Sequence, residues 1–125
     1  MNLEPGTGDW PHIVEVQEIA TTNSSKTLEL SLKIPQNLEC FKGHFPGQPV
    51  LPGVIQSHWA VSLSKQLFSI EEEFSSLENL KFTMMILPET DLTLKLVYVK
   101  TSEFSSVNFS YAANEQQYSQ GKIKF

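Results

Sequence analysis

The stretch from Phe41 to Ala60 limits what this chain can fold into more than any other. Pro46, Pro49 and Pro52 fix three φ angles and remove three backbone donors. Each also pushes the residue before it (Phe45, Gln48, Leu51) out of the helical region. Gly43 permits a close approach or a positive φ just ahead of His44. Residues 41–52 therefore cannot form a helix and read as a stiffened, extended loop. From Gly53 the pattern changes. Apolar residues at 54, 55, 59, 60, 61, 63, 67 and 68 predict a helix over Gly53–Phe68. They cover most of its circumference, which predicts a helix wrapped by the rest of the protein. One histidine thus stands on a rigid loop, and the next element begins with unpaired N–H groups that favour negative charge.

The rest of the chain alternates with period two. Val14 and Val16 alternate with Glu15 and Gln17, predicting a strand over His12–Ala20. Leu28, Leu30, Leu32 and Ile34 share one face of a half-buried strand over Lys26–Ile34, and Pro35 ends it. After the helix, the acidic run Ser69–Ser76 reads as a solvated loop or a short helical extension. Strands follow over Leu77–Leu87 (Leu80, Phe82, Met84 and Ile86 on one face), Leu92–Tyr98, Glu103–Ala113 and Tyr118–Phe125. Turns fall at 88–91 and 114–117. Strands that follow one another with no second crossover helix predict an antiparallel meander, hence an α+β fold with one sheet around one long central helix. Such a unit leaves an open edge, which small domains hide by oligomerising.

A chain of 125 residues builds one core, so residues 1–125 are expected to form a single domain with 1–10 as a loose arm, from which Trp10 packs back on the body. The net charge is −5 and all nine basic residues are lysines. Without arginine there is no guanidinium fork for phosphates or base edges, which argues against nucleic acid as a partner. The single cysteine, Cys40, excludes an internal disulfide and suits a reducing compartment. Met1–Trp10 shows no basic-then-apolar signal pattern, and no apolar run approaches the roughly 20 residues of a membrane span. A cytoplasmic protein is expected. The histidines lack a third ligand at a recognisable spacing, so neither a metal nor another cofactor is expected. No nucleophile elbow of the form Gly-x-Ser-x-Gly occurs.

The run Gly43-His44-Phe45-Pro46-Gly47, followed by Pro49-Val50-Leu51-Pro52-Gly53-Val54, resembles the signature of the 3-hydroxyacyl-[acyl-carrier-protein] dehydratases of the FabZ/FabA type. Its continuation through Ile55-Gln56-Ser57-His58-Trp59-Ala60 is similar to the dehydratases of bacterial aryl-polyene clusters. The likeness is strong over residues 41–60, and beyond them only the pattern of strands agrees. It implies the hotdog fold, a homodimer with its active site at the subunit interface, and an acyl carrier protein that delivers a 3-hydroxyacyl thioester. It also implies residue roles. His44 is the catalytic histidine, and the Gly53 N–H binds the thioester carbonyl. Phe45, Pro52 and Val54 lie against the substrate.

The chemistry agrees with that assignment. Dehydration needs a base for the C2 proton, a donor for the carbonyl, and an acid for the departing C3 hydroxyl. A neutral imidazole is a natural base near neutrality. Backbone N–H groups at a helix start are natural oxyanion donors. The departure is His58. Fourteen residues after the catalytic histidine the family pattern carries Glu or Asp, and the helix from Gly53 to Phe68 contains neither. Two histidines in one site titrate as a coupled pair, so one can be imidazole while the other is imidazolium. His44 is then the base, and His58 of the partner subunit is the acid or water-orienting group.

Two other functions stay open on the same fold: a thioesterase, and a non-catalytic acyl-binding subunit. A histidine on an apolar helix is by itself more often a packed residue than a catalyst. Trp59 reads as core, and Gln56 and Ser57 read as satisfying backbone groups. Tyr98, Tyr111 and His12 carry no signal. Lys42, Lys65 and Lys81 are candidates for docking an acidic carrier protein.

Overall fold

A computed structural model describes residues 9–42 and 49–125. In chain order it has β1 (His12–Thr21), β2 (Ser25–Lys33), a single 3-10 turn (Glu39–Phe41), α1 (Gly53–Leu67), β3 (Ser76–Phe82), β4 (Asp91–Lys100), β5 (Ser105–Ala113) and β6 (Gln116–Lys124). The six strands form one sheet in the order β1-β2-β4-β5-β6-β3, antiparallel throughout. The chain leaves the sheet at β2 and returns at the far edge as β3, so α1 must cross one face. A helix of 15 residues is about 22 Å long at the usual rise. The four strand spacings from β2 to β3 come to about 19 Å. One helix is therefore long enough to span the sheet, which is the hotdog arrangement that the loop signature implies.

The inner face is set by register. Leu28, Leu30 and Leu32 of β2 pair with Leu96, Leu94 and Leu92 of β4. Leu96 and Leu94 in turn pair with Phe109 and Tyr111 of β5, and Val107 pairs with Ile123 of β6. All of these are buried, and Trp59, Ala60 and Leu63 of α1 are fully buried in the same cluster. The period-two pattern thus predicts the core of the central strands correctly. The β5–β6 turn is made by Asn114 and Glu115, both with positive φ (50° and 67°). That is the type I′ geometry whose twist suits a two-residue hairpin. Ser69 (φ 54°) ends α1, with the Ile70 N–H donating to Lys65 O at 3.0 Å as in a Schellman cap.

Two expectations change. The strand expected over Leu77–Leu87 stops at Phe82. Its pairing with β6 skips from Glu78–Lys122 to Lys81–Gln120, three residues against two, with Asn79 at φ 54°. This β-bulge breaks the alternation. Only Ile86 of the expected inner face is buried, whereas Leu80, Phe82 and Met84 are exposed. The helix, expected to be buried on most of its circumference, is buried on one side only. Gln56, Ser57, Trp59, Ala60, Leu63 and Ser64 face inward. Val54, at 73 % exposure, and His58 face out, because the sheet of one chain covers a single face. On the edge strand β1, Val14, Val16 and Ile19 are likewise exposed, whereas Ile13 packs against the core. Among the described residues no helix is long and apolar enough to cross a membrane.

Candidate active site

The start of α1 is the best-defined part of the site. Pro52 occupies the N-cap position in an extended conformation (φ −63°, ψ 147°) and offers no side-chain cap. Its carbonyl accepts from the N–H groups of Ile55 and Gln56, both at 3.1 Å. The N–H groups of Gly53 and Val54 precede that first acceptor, so the helix itself leaves them unpaired. A side chain at 53 would crowd the Phe82 ring. A Cβ there would lie 2.8 Å from Cζ of Phe82 and 2.9 Å from its Cε1. The absence of a side chain lets the Phe82 ring close on the backbone beside this N–H, which has no partner among the described residues.

Behind this turn lies a buried polar clamp. Gln56 (3 % exposed) donates from Nε2 to Leu51 O at 3.1 Å. Its Oε1 accepts from the Ser119 hydroxyl of β6 at 2.7 Å. Its backbone carbonyl accepts from the Tyr111 hydroxyl of β5, also at 2.7 Å. Burial holds the Tyr111 phenol far above its ordinary range, so it stays a donor. Gln56 therefore satisfies backbone groups, as its position on an apolar helix suggests. The parts played by Tyr111 and Ser119 were missed. The one available signal was Ser119 itself, a polar residue in phase with the inward Ile123.

His58 lies five residues along the helix from Gly53, on the open side. With Val54, Ser57, Val61, Phe74 and Leu77 it lines a groove of about 300 Å³ between α1 and the start of β3. The lining is apolar apart from His58 and Ser57. The Trp10 ring meets the imidazole edge to face, with centroids 6.3 Å apart, and meets Trp59 in the same way at 6.4 Å.

A strap from the N-terminal segment ties this side of the helix to the loop. The Asp9 carboxylate accepts the N–H of Glu39 at 2.6 Å and of Cys40 at 2.7 Å, capping the 3-10 turn. The Asp9 carbonyl accepts the Trp59 indole N–H at 3.1 Å. Trp10 packs on the body as expected, and Asp9 is anchored with it. Of the expected arm, residues 1–8 lie outside the described residues. Asp9 carried no usable signal, since its partners are backbone groups about thirty residues away.

The structure brings Gly53, Pro52, Val54 and His58 together at one end of one helix. His44 and Phe45 lie outside the described residues. The 3-10 turn three residues before His44 is fixed by Asp9. Cys40 within it is buried, and its thiol is pushed up to about 12 by burial first and then by the adjacent Asp9 carboxylate. A thiol held neutral in this way is not a nucleophile.

Comparison with known proteins bears on this geometry. Residues 20–122 match the family model of the ApeI-like dehydratases. The 3-hydroxyacyl-[acyl-carrier-protein] dehydratase FabZ of Pasteurella multocida is 29 % identical over 93 residues, covering 68 % of this chain and 61 % of its own. FabZ of Mannheimia succiniciproducens is 31 % identical over 93 residues, covering 68 % and 62 %. The chain thus spans about three fifths of the length of these curated relatives. Among solved structures, an uncharacterised protein from Erwinia carotovora subsp. atroseptica superposes with a TM-score of 0.79 at 32 % identity, covering 92 % of this chain and 94 % of its own. A chain of the dehydratase heterocomplex ApeI:P from Xenorhabdus doucetiae superposes at 0.69 with 29 % identity, covering 92 % and 96 %. With the family model spanning most of its length and the sheet crossed by a single helix, this chain belongs to the ApeI-like dehydratase family and has the hotdog fold.

Proposed function

We propose that this protein is a lyase that removes water from a 3-hydroxyacyl thioester carried on acyl carrier protein, giving the 2-enoyl thioester. The observation that carries the reading is that α1 begins with a backbone N–H at Gly53 that the helix leaves unpaired and turns the His58 imidazole outward into an apolar groove, where it can enter the site of a partner subunit. The Gly53 N–H receives the thioester carbonyl and stabilises the enolate-like charge that develops when the C2 proton leaves. His44 takes that proton. His58 of the partner subunit holds the C3 hydroxyl and protonates it as the C–O bond breaks. The groove excludes water from the acyl chain, and Phe45, Pro52 and Val54 lie along the bound thioester.

A partner subunit fits the open side of α1, where Val54 and His58 are exposed, and a homodimer is the simplest assembly. The relative from Xenorhabdus doucetiae is described as a heterocomplex, which supports a second arrangement, pairing with a related but different chain. The reaction belongs to fatty-acid or aryl-polyene biosynthesis in the cytoplasm, and lysines such as Lys42, Lys65 and Lys81 face the acidic carrier protein.

The test is turnover of 3-hydroxyacyl groups on carrier protein, with mass detection of the acyl group, for the parent, His44→Ala and His58→Ala. Loss of one water in the parent alone is the expected result. Free carrier thiol as product would replace the dehydratase by a thioesterase. Binding with neither product would make the protein an acyl-binding subunit.

A further inference from the structure

We infer that Gln56, Tyr111 and Ser119 are positioning residues, which aim the carbonyl-binding start of α1; the inference rests on the dehydratase reading above. All three side chains are buried, at 3 %, 0 % and 1 % exposure, among mostly apolar neighbours. Burying polar groups is unfavourable unless each finds a partner. Here the partners are specific. Gln56 Nε2 donates to Leu51 O, the Ser119 hydroxyl donates to Gln56 Oε1, and the Tyr111 hydroxyl donates to Gln56 O. An apolar side chain at 56 would fill the same space, as Trp59 and Ala60 do one turn further on. The polarity therefore needs a reason beyond filling the core.

Its effect is geometric. Helix starts fray, and a side-chain cap normally restrains them. Pro52 supplies none. The clamp takes the place of a cap by holding the first turn from below, through two strands of the sheet. It also reaches the loop. Leu51 is held at both backbone groups, its N–H donating to Ile86 O at 2.8 Å and its carbonyl accepting from Gln56. Only Pro52 separates Leu51 from Gly53, so little slack remains between the clamp and the Gly53 N–H. An oxyanion donor acts only when it lies within a narrow distance of the developing charge, and a displacement of about 1 Å costs on the order of 100-fold in rate. The clamp joins β5, β6, the loop and the first helical turn into one rigid unit at that donor.

The experiment compares the parent with Tyr111→Phe, Ser119→Ala and Gln56→Leu. Steady-state turnover is measured together with amide hydrogen exchange read by NMR. Exchange at Ile55 and Gln56, whose N–H groups bond to Pro52 O, is expected to rise about tenfold. Exchange at Leu63, mid-helix, is expected to stay as in the parent. Turnover should fall about tenfold in kcat with KM nearly unchanged, since a donor used mainly in the transition state is being misplaced. In a Gln56→Leu background, Ser119→Ala should have no further effect, because its only clamp partner is gone. Variants that keep full kcat, or lose it only in proportion to the folded fraction, overturn the positioning role while leaving the dehydratase reading intact. A parent that yields no dehydrated product on any acyl group overturns that reading, and the positioning role with it.

Discussion

The two sides of α1 differ in what they are built to do. The side that faces the sheet is filled: Trp59, Ala60 and Leu63 are fully buried, and the one amide there, Gln56, has its hydrogen bonds made. The side that faces away carries Val54, His58 and Val61 along an open apolar groove. Both sides come from the same fifteen residues, and both are mostly apolar. Apolar character on a helix therefore does not tell a core face from a binding face. The polar residues tell them apart. On the filled side the Gln56 amide is saturated by its neighbours, the small Ser64 hydroxyl alone being buried there without a partner among the described residues, and on the open side the imidazole faces a space that another molecule can enter.

The sharpest way to break this contrast is to truncate one residue on each side. Trp59→Ala removes a fully buried indole that also donates to Asp9 O at 3.1 Å. Its cost is expected at about 3–5 kcal/mol in chemical denaturation, as for other large aromatic truncations in cores. His58→Ala, on the exposed side, is expected to leave stability within about 1 kcal/mol, since the residue is exposed and its aromatic contact among the described residues is the edge of Trp10. Its turnover should nevertheless fall about 100-fold or more, the usual contribution of a positioned acid. A His58→Ala protein that melts early but turns over normally would assign His58 to the core and erase the contrast.

How far the two sides could be read beforehand follows from the range of the interactions involved. The central strands and the helix limits were legible because period two, period 3.6 and proline act locally. The loop signature and the free N–H groups at Gly53 were legible for the same reason. The bulge at Asn79 was not, because one extra residue in β3 is defined only against β6. It shifted the phase of the expected strand and left Leu80 and Phe82 exposed. The Tyr111–Gln56–Ser119 clamp was hidden in a similar way, since it joins residues 55 and 63 positions apart. The helix was expected to be buried nearly all round because the pattern counts apolar residues without saying which molecule covers them.

Gly53 opens the helix that carries both sides, and a milder pair of substitutions there sharpens the contrast. Gly53→Ala places a methyl group 2.8 Å from the Phe82 ring, which must shift. Phe82 is about half exposed, so the ring has somewhere to go. The strain of displacing it opposes the roughly 1 kcal/mol by which Ala favours a helix over Gly. A net loss of about 1 kcal/mol is expected in the parent background. In a Phe82→Ala background the strain is absent and the same change should be stabilising. A loss of the same size in both backgrounds would show that glycine is needed for something other than room for the ring.

The smallest effect at pH 7 concerns the strap that joins the open side to the loop. Cys40 has its thiol raised to about 12, by burial and then by the Asp9 carboxylate that caps the same turn. The folded state therefore binds the thiol proton more tightly than the unfolded state, whose ordinary value is 9.0. Protons bound in excess by the folded state make stability fall as pH rises. The contribution is complete below pH 9, declines from there towards pH 12, and is absent above. Cys40→Ala should remove that decline from the alkaline limb of a denaturation series and change little at pH 7 beyond the loss of one small buried side chain. The thiol should also resist alkylation at pH 8 in the folded protein and react once the chain is unfolded. Asp9→Asn removes the charge and keeps one acceptor oxygen, so one of the two N–H groups, of Glu39 or Cys40, loses its partner. It is expected to lower the thiol value only part of the way, because burial is the larger cause. Full alkylation of folded Asp9→Asn at pH 8 would reverse that order and make the carboxylate, rather than the core, what keeps the turn before His44 closed.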